Sequence, residues 1–422
     1  MAETSTKVAV IGWGNIGIGV VELLYKKKIA GLELVKVCDI DLETKRNVEL
    51  PQSYLTSDWH QVIDDPSIDV VVELIGGIEP AKSIQMEALK QGKDVVTANK
   101  KLLAKEGESI FKQVIDLDRK IGFRASFVGG HALIHELGLA GTAAKKFRKI
   151  YAILNGTSNY ILSTMTRDGK GFEEALKEAQ VQGYAEADPS DDIDGKDTES
   201  KIRIMLGLIS NSFSFAGPFP VEGIRDVSLQ DIQYADELGY SVKLVGVIEP
   251  KEGVFNVAVH PAMVPKISLL GSLEGPYNGT ELEDEYGVVS GLVAPGAGTY
   301  PTADAVIKDL LDIAEGRLLP MPVSEGSLSL GSADDVERRY YLRFSVVDQP
   351  GVLAQITDIF WKHNINISAV IQKDSASKEL VPVVMTTYMA REGDLKKAIE
   401  KVDKLGVIKD KTRIIRILNS DT

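Results

Sequence analysis

The stretch Gly183 to Lys201 reads GYAEADPSDDIDGKDTESK and gathers Glu186, Asp188, Asp191, Asp192, Asp194, Asp197 and Lys201. Its near fit to a calcium loop fails on inspection. Aligned as an EF-hand, Asp192, Asp194 and Gly195 take positions three, five and six, but Ser190 falls at position one and Lys201 at twelve, where a bidentate carboxylate is required. The periodicity instead predicts a helix over Gly195 to Asn211. On it Asp197 and Lys201 stand four apart, on a face that continues through Ile204, Met205 and Leu208. A lysine buried on that stripe beside carboxylates can act as proton donor to a carbonyl being reduced. The same spacing also serves a solvated surface ion pair, which composition alone favours.

A second chemical signal lies near the start. Gly12-Trp13-Gly14-Asn15-Ile16-Gly17 is GxGxxG, set after a β-rich run, Lys7 to Ile11, and before a helical one, Ile18 to Lys28. Glycines there serve a tight turn, close backbone approach to a pyrophosphate and helix–strand packing, while the helix start offers free amides. Asp39, at the end of the next strand-like run, is placed to read a ribose 2′-hydroxyl and disfavours a 2′-phosphate, which favours NAD. Lys45 and Arg46 close by could each reach a phosphate and keep NADP open.

These groups need a frame. Strand-like runs recur at Leu34 to Asp39, Val70 to Leu74, Asp94 to Thr97 and Gly122 to Ser126, with helical stretches Ala81 to Gln91 and Lys105 to Lys120 between them. Such alternation predicts an α/β fold with a doubly wound parallel sheet, since parallel strands need crossover helices. From Ile150 to about Gly298 longer strands and helices predict an α+β domain. Pro301 to Ala314 has helical spacing, and residues 320–335 read as a Pro/Ser/Gly linker. Beyond it the order is βαββαβ, the ferredoxin-like split motif, with strands at Tyr340 to Val347, Ile365 to Gln372, Leu380 to Tyr388 and Thr412 to Leu418. Pro382 suits an edge or the start of its strand.

The 422 residues allow two or three cores, and 44% hydrophobic with 26% charged residues is ordinary globular composition. No apolar run reaches the ~18 residues of a membrane helix, so a membrane is not expected as partner. A net charge of -13 argues against nucleic acid. The polar N-terminus and the single cysteine, Cys38, lead to a cytoplasmic expectation.

The acid-rich segment resembles the homoserine dehydrogenase family. An alanine four residues before a Gly-aromatic pair, then Asp-Pro-x-x-Asp-aliphatic-x-Gly-x-Asp-x-x-x-Lys, is matched by Ala179, Gly183, Tyr184, Asp188, Pro189, Asp192, Ile193, Gly195, Asp197 and Lys201. VVELIGG (Val71 to Gly77), VVTANKKLLA (Val95 to Ala104), LNGTSNYIL (Leu154 to Leu162) and GAGTYPTADAV (Gly296 to Val306) are similar to the same family, over roughly residues 7–318. The resemblance implies reversible reduction of aspartate 4-semialdehyde to homoserine. It implies Lys201 as proton donor or acceptor, Asp197 as its orienting partner and Lys100 as a second cation. Glu186, Asp191, Asp192, Thr157 and Tyr184 become the substrate set. Gly12, Gly14, Asn15, Ile16, Gly17, Asp39, Ile75, Gly76, Thr97, Lys100 and Gly298 become the cofactor set. The implied division is a dinucleotide-binding domain, 1–126 with 299–318, then a catalytic and dimerisation domain, 127–298, a linker, 319–337, and a regulatory domain, 338–422. The helix at Pro301 to Ala314 is expected to pack back on the first of these.

The family usually has Glu-Ala-Ser-Val-x-Gly-Gly-Ile-Pro after the fifth strand, its glutamate helping to hold a monovalent cation. This chain has Arg124-Ala125-Ser126-Phe127-Val128-Gly129-Gly130-His131-Ala132. An arginine cannot ligate a cation, which argues against sodium and suggests that the guanidinium takes the ion's place. His131 and His135 have the spacing of helical metal ligands but lack a third, so no metal is expected. Cys38 reads as a small core residue.

The C-terminal part resembles an ACT domain, through Asp348-Gln349-Pro350-Gly351-Val352-Leu353 and Asn364-Ile365-Asn366-Ile367. That implies pairing between copies and an amino-acid effector, threonine, at Asp348, Gly351, Val352, Leu353, Asn366 and Ile367; a dimerisation module without ligand is the competing reading. For the whole chain the rivals are a dehydrogenase of another small carbonyl compound and an amino-acid sensor with an inactive dehydrogenase half. The joint presence of Asp197, Lys201 and Lys100 speaks against the sensor.

Overall fold

Strand β1 (Thr6–Ile11) is an apolar run because both faces of it are covered: Val8, Ala9 and Val10 are fully buried. In this computed structural model, which describes residues 5–127, 146–215, 217–296, 298–318, 327–373 and 380–418, β1 is the centre of a six-stranded parallel sheet. Its other strands are β2 (Leu32–Cys38), β3 (Leu55–Thr56), β4 (Val70–Glu73), β5 (Asp94–Thr97) and β6 (Ile121–Gly122), in the order β3-β2-β1-β4-β5-β6. The order reverses between β1 and β4, and the crevice outside the carboxyl ends of the strands at such a point is where ligands bind. Helices Asn15–Tyr25, Ala81–Lys90 and Lys100–Asp116 make the crossovers. Helix Thr299–Ala314 packs on the first of these, and its Ala303, Val306, Leu310 and Ile313 share one core with Val8, Val10, Val20, Leu24 and Val72.

The run Gly122 to Ser126, expected as a strand, is extended only to Gly122; Arg124–Phe127 form a helical turn. Asp309 causes the change. It accepts from the Arg124 amide at 2.8 Å and from the guanidinium at 2.7 Å, turning the chain off the sheet, while Asp312 takes the other guanidinium nitrogen at 2.6 Å.

The chain divides into two compact units: Met1–Phe147, Glu199–Ala216 and Asp284–Leu328 in one, and Arg148–Thr198, Gly217–Glu283 and Ser329–Thr422 in the other. The second unit is built on β7 (Phe147–Ile153), β8 (Tyr240–Lys251), β9 (Val254–Pro265) and β10 (Tyr277–Asp284); β11 (Val289–Pro295) falls in the first. The C-terminal module follows the expected βαββαβ order. It comprises β12 (Glu337–Val346), helix Val352–Lys362, β13 (Ile367–Gln372), β14 (Val381–Thr387), the two-residue β15 (Ala390–Arg391), helix Glu392–Val402 and β16 (Arg413–Ile417). Its strands lie in the order β16-β12-β14-β13. Pro382 is the second residue of β14, near its start.

The module's last strand extends a sheet of the second unit: β16 pairs in parallel with β9, Arg416 opposite Ala262 and Ile417 opposite Met263, so one sheet runs β10-β7-β8-β9-β16-β12-β14-β13. The described end of the expected linker is likewise tied down: Phe255 donates to the Ser329 carbonyl at 3.1 Å and Gly331 to the Phe255 carbonyl at 2.9 Å.

Candidate active site

At the carboxyl end of β1 the chain turns so tightly that only glycine fits. Gly12 has a φ of +102°, and a Cβ on Gly17 would stand 2.1 Å from the Gly12 carbonyl oxygen. Gly14, before the helix, faces open space and caps it without a side-chain bond, which leaves amides of the first turn for an anion. Asn15 and Ile16 begin that helix. This cradle fits a dinucleotide pyrophosphate. Asp39 follows β2; its Oδ2 accepts from the Trp13 amide and its Oδ1 from the Asp41 amide at 2.8 Å. The Arg46 guanidinium lies 4.5 Å over the Trp13 ring and donates to the carbonyls of Trp13 and Thr44 at 3.0 and 2.8 Å.

The ends of β4 and β5 are joined by a buried carboxylate. Glu73 Oε1 accepts from the amides of Ile75 and Gly76 at 2.9 and 3.3 Å, and Oε2 accepts from Thr97 at 2.9 Å and Gln85 at 2.8 Å. Thr97 in turn accepts from the amide of Asn99, whose side chain caps helix Lys100–Asp116, so Lys100 sits on the first turn of a fixed helix. Gly298 stands at the cap of helix Thr299–Ala314.

In the second unit Asn155 organises the acid-rich segment. Its amide nitrogen donates to Asp192 Oδ1 at 2.6 Å and Asp197 Oδ2 at 2.9 Å, while its oxygen caps helix Gly156–Asp168 through the Ser158 amide. Ser158 Oγ donates to the Asp192 carbonyl at 2.9 Å. Thr157 donates to the Tyr184 carbonyl at 2.6 Å. Asp191 and Asp192 form a helical turn, Ser190–Ile193, and Glu186 is exposed beside it. Arg225 pairs with Asp194 and holds its carboxyl below the usual range. Asp197 and Lys201 lie on helix Lys196–Ser210 and are each only 5% exposed, which decides against the surface ion pair.

Three family models match the chain: the homoserine dehydrogenase NAD-binding domain over residues 12–127, homoserine dehydrogenase over 133–311 and the ACT domain over 340–407. A homoserine dehydrogenase of Synechocystis sp. is 34% identical, with 98% of this chain and all of the relative covered. The chain belongs to the homoserine dehydrogenase family. Another member, from Neisseria gonorrhoeae, is 33% identical over 97% of this chain and 98% of its own. The crystal structure of a homoserine dehydrogenase from Thiobacillus denitrificans superposes with a TM-score of 0.88 at 33% identity, covering 99% of both chains. As a homoserine dehydrogenase the chain is an oxidoreductase using a nicotinamide cofactor.

Two residues that organise the site carry little signal in the sequence. Asn155 had a signal, an asparagine before the Gly-Thr-Ser helix start; Glu73 had a weaker one, a lone carboxylate closing an apolar strand. Cys38 is buried and its thiol is pushed up to about 11, chiefly by burial. His131 and His135 lie outside the described residues.

The ACT residues named from sequence form two separate groups. Gly351 (φ +88°) caps helix Val352–Lys362 beyond Val346, with Asp348 and Leu353 exposed around it and Val352 buried. Ile367 pairs with Thr387, whereas Tyr341 pairs with Thr386 and Val346 with Val381. Asn366 and Ile367 therefore lie at the opposite end of the sheet, and a single module does not bring the two groups together. No helix among the described residues is long and apolar enough to cross a membrane.

Proposed function

We propose that Lys201 is the proton donor and acceptor for interconversion of L-aspartate 4-semialdehyde and L-homoserine. The observation that carries this is the burial of Asp197 and Lys201 on one helix, with Asn155 holding both Asp197 and Asp192. When bound, the nicotinamide supplies the hydride that adds to the aldehyde carbon. As that bond forms, the carbonyl π pair moves to oxygen, and Lys201 Nζ stabilises the growing charge and delivers the proton. Asp197 orients the lysine; Lys100 adds a second cation. Glu186, Asp191 and Asp192 take the substrate ammonium, and Thr157 and Tyr184 its polar atoms. Gly12, Gly14, Asn15, Ile16 and Gly17 would hold the cofactor's pyrophosphate, and Ile75, Gly76, Thr97 and Gly298 the rest of it.

NAD is the preferred cofactor in this reading: Asp39 presents a carboxylate at the end of β2, and the Arg46 guanidinium, 3.9 Å from it, donates to the carbonyls of Trp13 and Thr44. Arg124, matched by Asp309 and Asp312, stands in for a monovalent cation. Equal turnover in sodium and sodium-free buffers agrees with that; a sharp sodium requirement refutes it. Residues 1–126 with 299–318 bind the dinucleotide, 127–298 bind substrate and a second copy, and 338–422 are regulatory, answering to threonine. The enzyme works in the cytoplasm, a placement supported by its single buried cysteine.

The test is homoserine oxidation followed by cofactor absorbance, with NAD and NADP in parallel, with and without threonine. Turnover that threonine suppresses supports both halves of the reading. A folded, nucleotide-binding protein that does not turn over homoserine overturns the catalytic one.

A further inference from the structure

Glu73 ends β4 fully buried, and every group that bonds to its carboxylate is neutral. The amides of Ile75 and Gly76 fill Oε1; the Gln85 side-chain amide and the Thr97 hydroxyl fill Oε2. Thr97 accepts in turn from the Asn99 amide at 2.9 Å and from Gln85 at 3.1 Å, which leaves its one hydrogen for Glu73. Every partner donates, so the carboxylate is held purely as an acceptor. No lysine, arginine or histidine pairs with it among the described residues. Neutral donors anchor a charge without cancelling it, and in an interior of low effective dielectric its field carries well beyond the contact shell.

That field falls on the crevice at the strand ends, where the sheet order reverses between β1 and β4. A Cβ on Gly12 would stand 2.7 Å from the Leu74 carbonyl carbon and 3.0 Å from Ile75 Cγ2, so the turn that Glu73 grips lies directly against the glycine turn. Asn99 fastens the other end of it by donating to the Gly77 carbonyl at 2.7 Å. Glu73 thus holds Ile75, Gly76 and Thr97, three residues of the proposed cofactor set.

We propose that Glu73 is a positioning residue whose charge also sets the relative affinity for the two redox forms of the cofactor. A nicotinamide ring is positively charged when oxidised and neutral when reduced, and a nearby protein charge tunes that difference. The uncompensated carboxylate favours the oxidised form. Hydride leaving the alcohol carbon of homoserine cancels the ring charge, with the alcohol proton passing to Lys201; hydride returning to the aldehyde carbon restores it, with Lys201 returning the proton. Glu73 therefore biases the bound equilibrium toward reduction of the semialdehyde. The inference rests on the proposed cofactor set. Lys100 contributes equally in every variant below, so a change between variants reads Glu73.

The experiment measures, on the full-length protein, dissociation constants for both redox forms of whichever cofactor, NAD or NADP, it turns over faster: the reduced form by nicotinamide fluorescence, the oxidised form by calorimetry. In Glu73→Gln the ratio of the oxidised-form constant to the reduced-form constant should rise about fivefold or more. Glu73→Asp keeps the charge but cannot span the same donors, so both constants should rise while their ratio stays within about twofold of wild type. Gln85→Lys sets an ammonium against Oε2 and should move the ratio as Glu73→Gln does, which keeps the test open if that variant fails to fold. An unchanged ratio in Glu73→Gln, or in Gln85→Lys where Glu73→Gln does not fold, overturns the proposal. An equal shift in Glu73→Asp also overturns it, by tracing the effect to the geometry of the turn instead of the charge. Wild-type protein that binds neither form overturns the cofactor reading and this proposal with it; where the wild type binds both, the reading stands and the ratio decides.

Discussion

Gly223 lies against Ile193 with no room for a side chain: a Cβ would stand 2.2 Å from the Ile193 carbonyl oxygen and 2.5 Å from the Asp194 Cα. The Ile224 amide fixes the approach by donating to that oxygen, and Arg225 clasps Asp194 from the other side. Segment 223–225 is thus the bed on which the turn Ser190–Ile193 rests, and that turn carries the Asp192 carboxylate held by Asn155.

Gly223→Ala forces these backbones apart. Overpacking of this kind costs about 1–3 kcal/mol. Because the displaced atoms belong to the proposed substrate turn, KM for homoserine should rise about tenfold or more, while the dissociation constant of the nicotinamide cofactor stays within about twofold. Steady-state kinetics and cofactor fluorescence titration read the two; equal losses in both would mean that the turn does not serve substrate.

Lys201→Ala removes the proposed proton donor without touching the glycine turn. Positioned acid–base groups contribute about 10²–10⁴-fold, and a loss in that range is expected in kcat, with cofactor affinity preserved. Asp197→Asn should cost less, since the asparagine retains an acceptor for Asn155 but no longer matches the lysine's charge. Wild-type turnover by Lys201→Ala would discard the assignment.

Local pattern carried far in some elements and failed in others for identifiable reasons. β5 is found over Asp94–Thr97 and helices close to Ala81 to Gln91 and Gly195 to Asn211, because their apolar periods follow from burial of one face or both. β3, two residues long, and helix His60–Ile63 are too short to show a period. The turn at Arg124 depends on Asp309, 185 residues away, and the pairing of β16 with β9 joins segments more than a hundred residues apart in sequence. No window of sequence contains either partner pair. The site divided in the same way: Lys201 and Asp197 were legible as an i,i+4 pair, but their burial, which distinguishes them from a surface ion pair, is a tertiary fact.

Asp39 binds two backbone amides, of Trp13 and Asp41, and so presents a fixed carboxylate at the end of β2. Asp39→Ser removes the charge proposed to oppose a 2′-phosphate while keeping a hydroxyl for the ribose. The ratio of kcat/KM for NADP to that for NAD should rise at least tenfold. An unchanged ratio would place discrimination elsewhere.

His260, on β9, is buried beneath the ACT junction; its Nδ1 lies 3.0 Å from the Pro261 carbonyl oxygen, and its Nε2 has no hydrogen-bond partner among the described residues. Burial first, then the nearby Arg416 and Arg338 guanidinium groups, hold its pKa well below the usual value. The folded protein therefore keeps this imidazole neutral at pH values where the unfolded chain, titrating near 6.5, binds a proton. More protons are bound unfolded than folded, so stability rises with pH up to about 6.5 and is lost as pH falls below it. Between about pH 7.5 and 5.5 this single group should cost on the order of 1 kcal/mol. Urea unfolding of wild type and His260→Leu across that range checks it. The leucine variant lacks the titration, so the stability difference should move in its favour by that amount on acidification. Parallel pH profiles would mean that His260 accepts a proton in the folded protein, and that the junction between β9 and the ACT module opens to admit water.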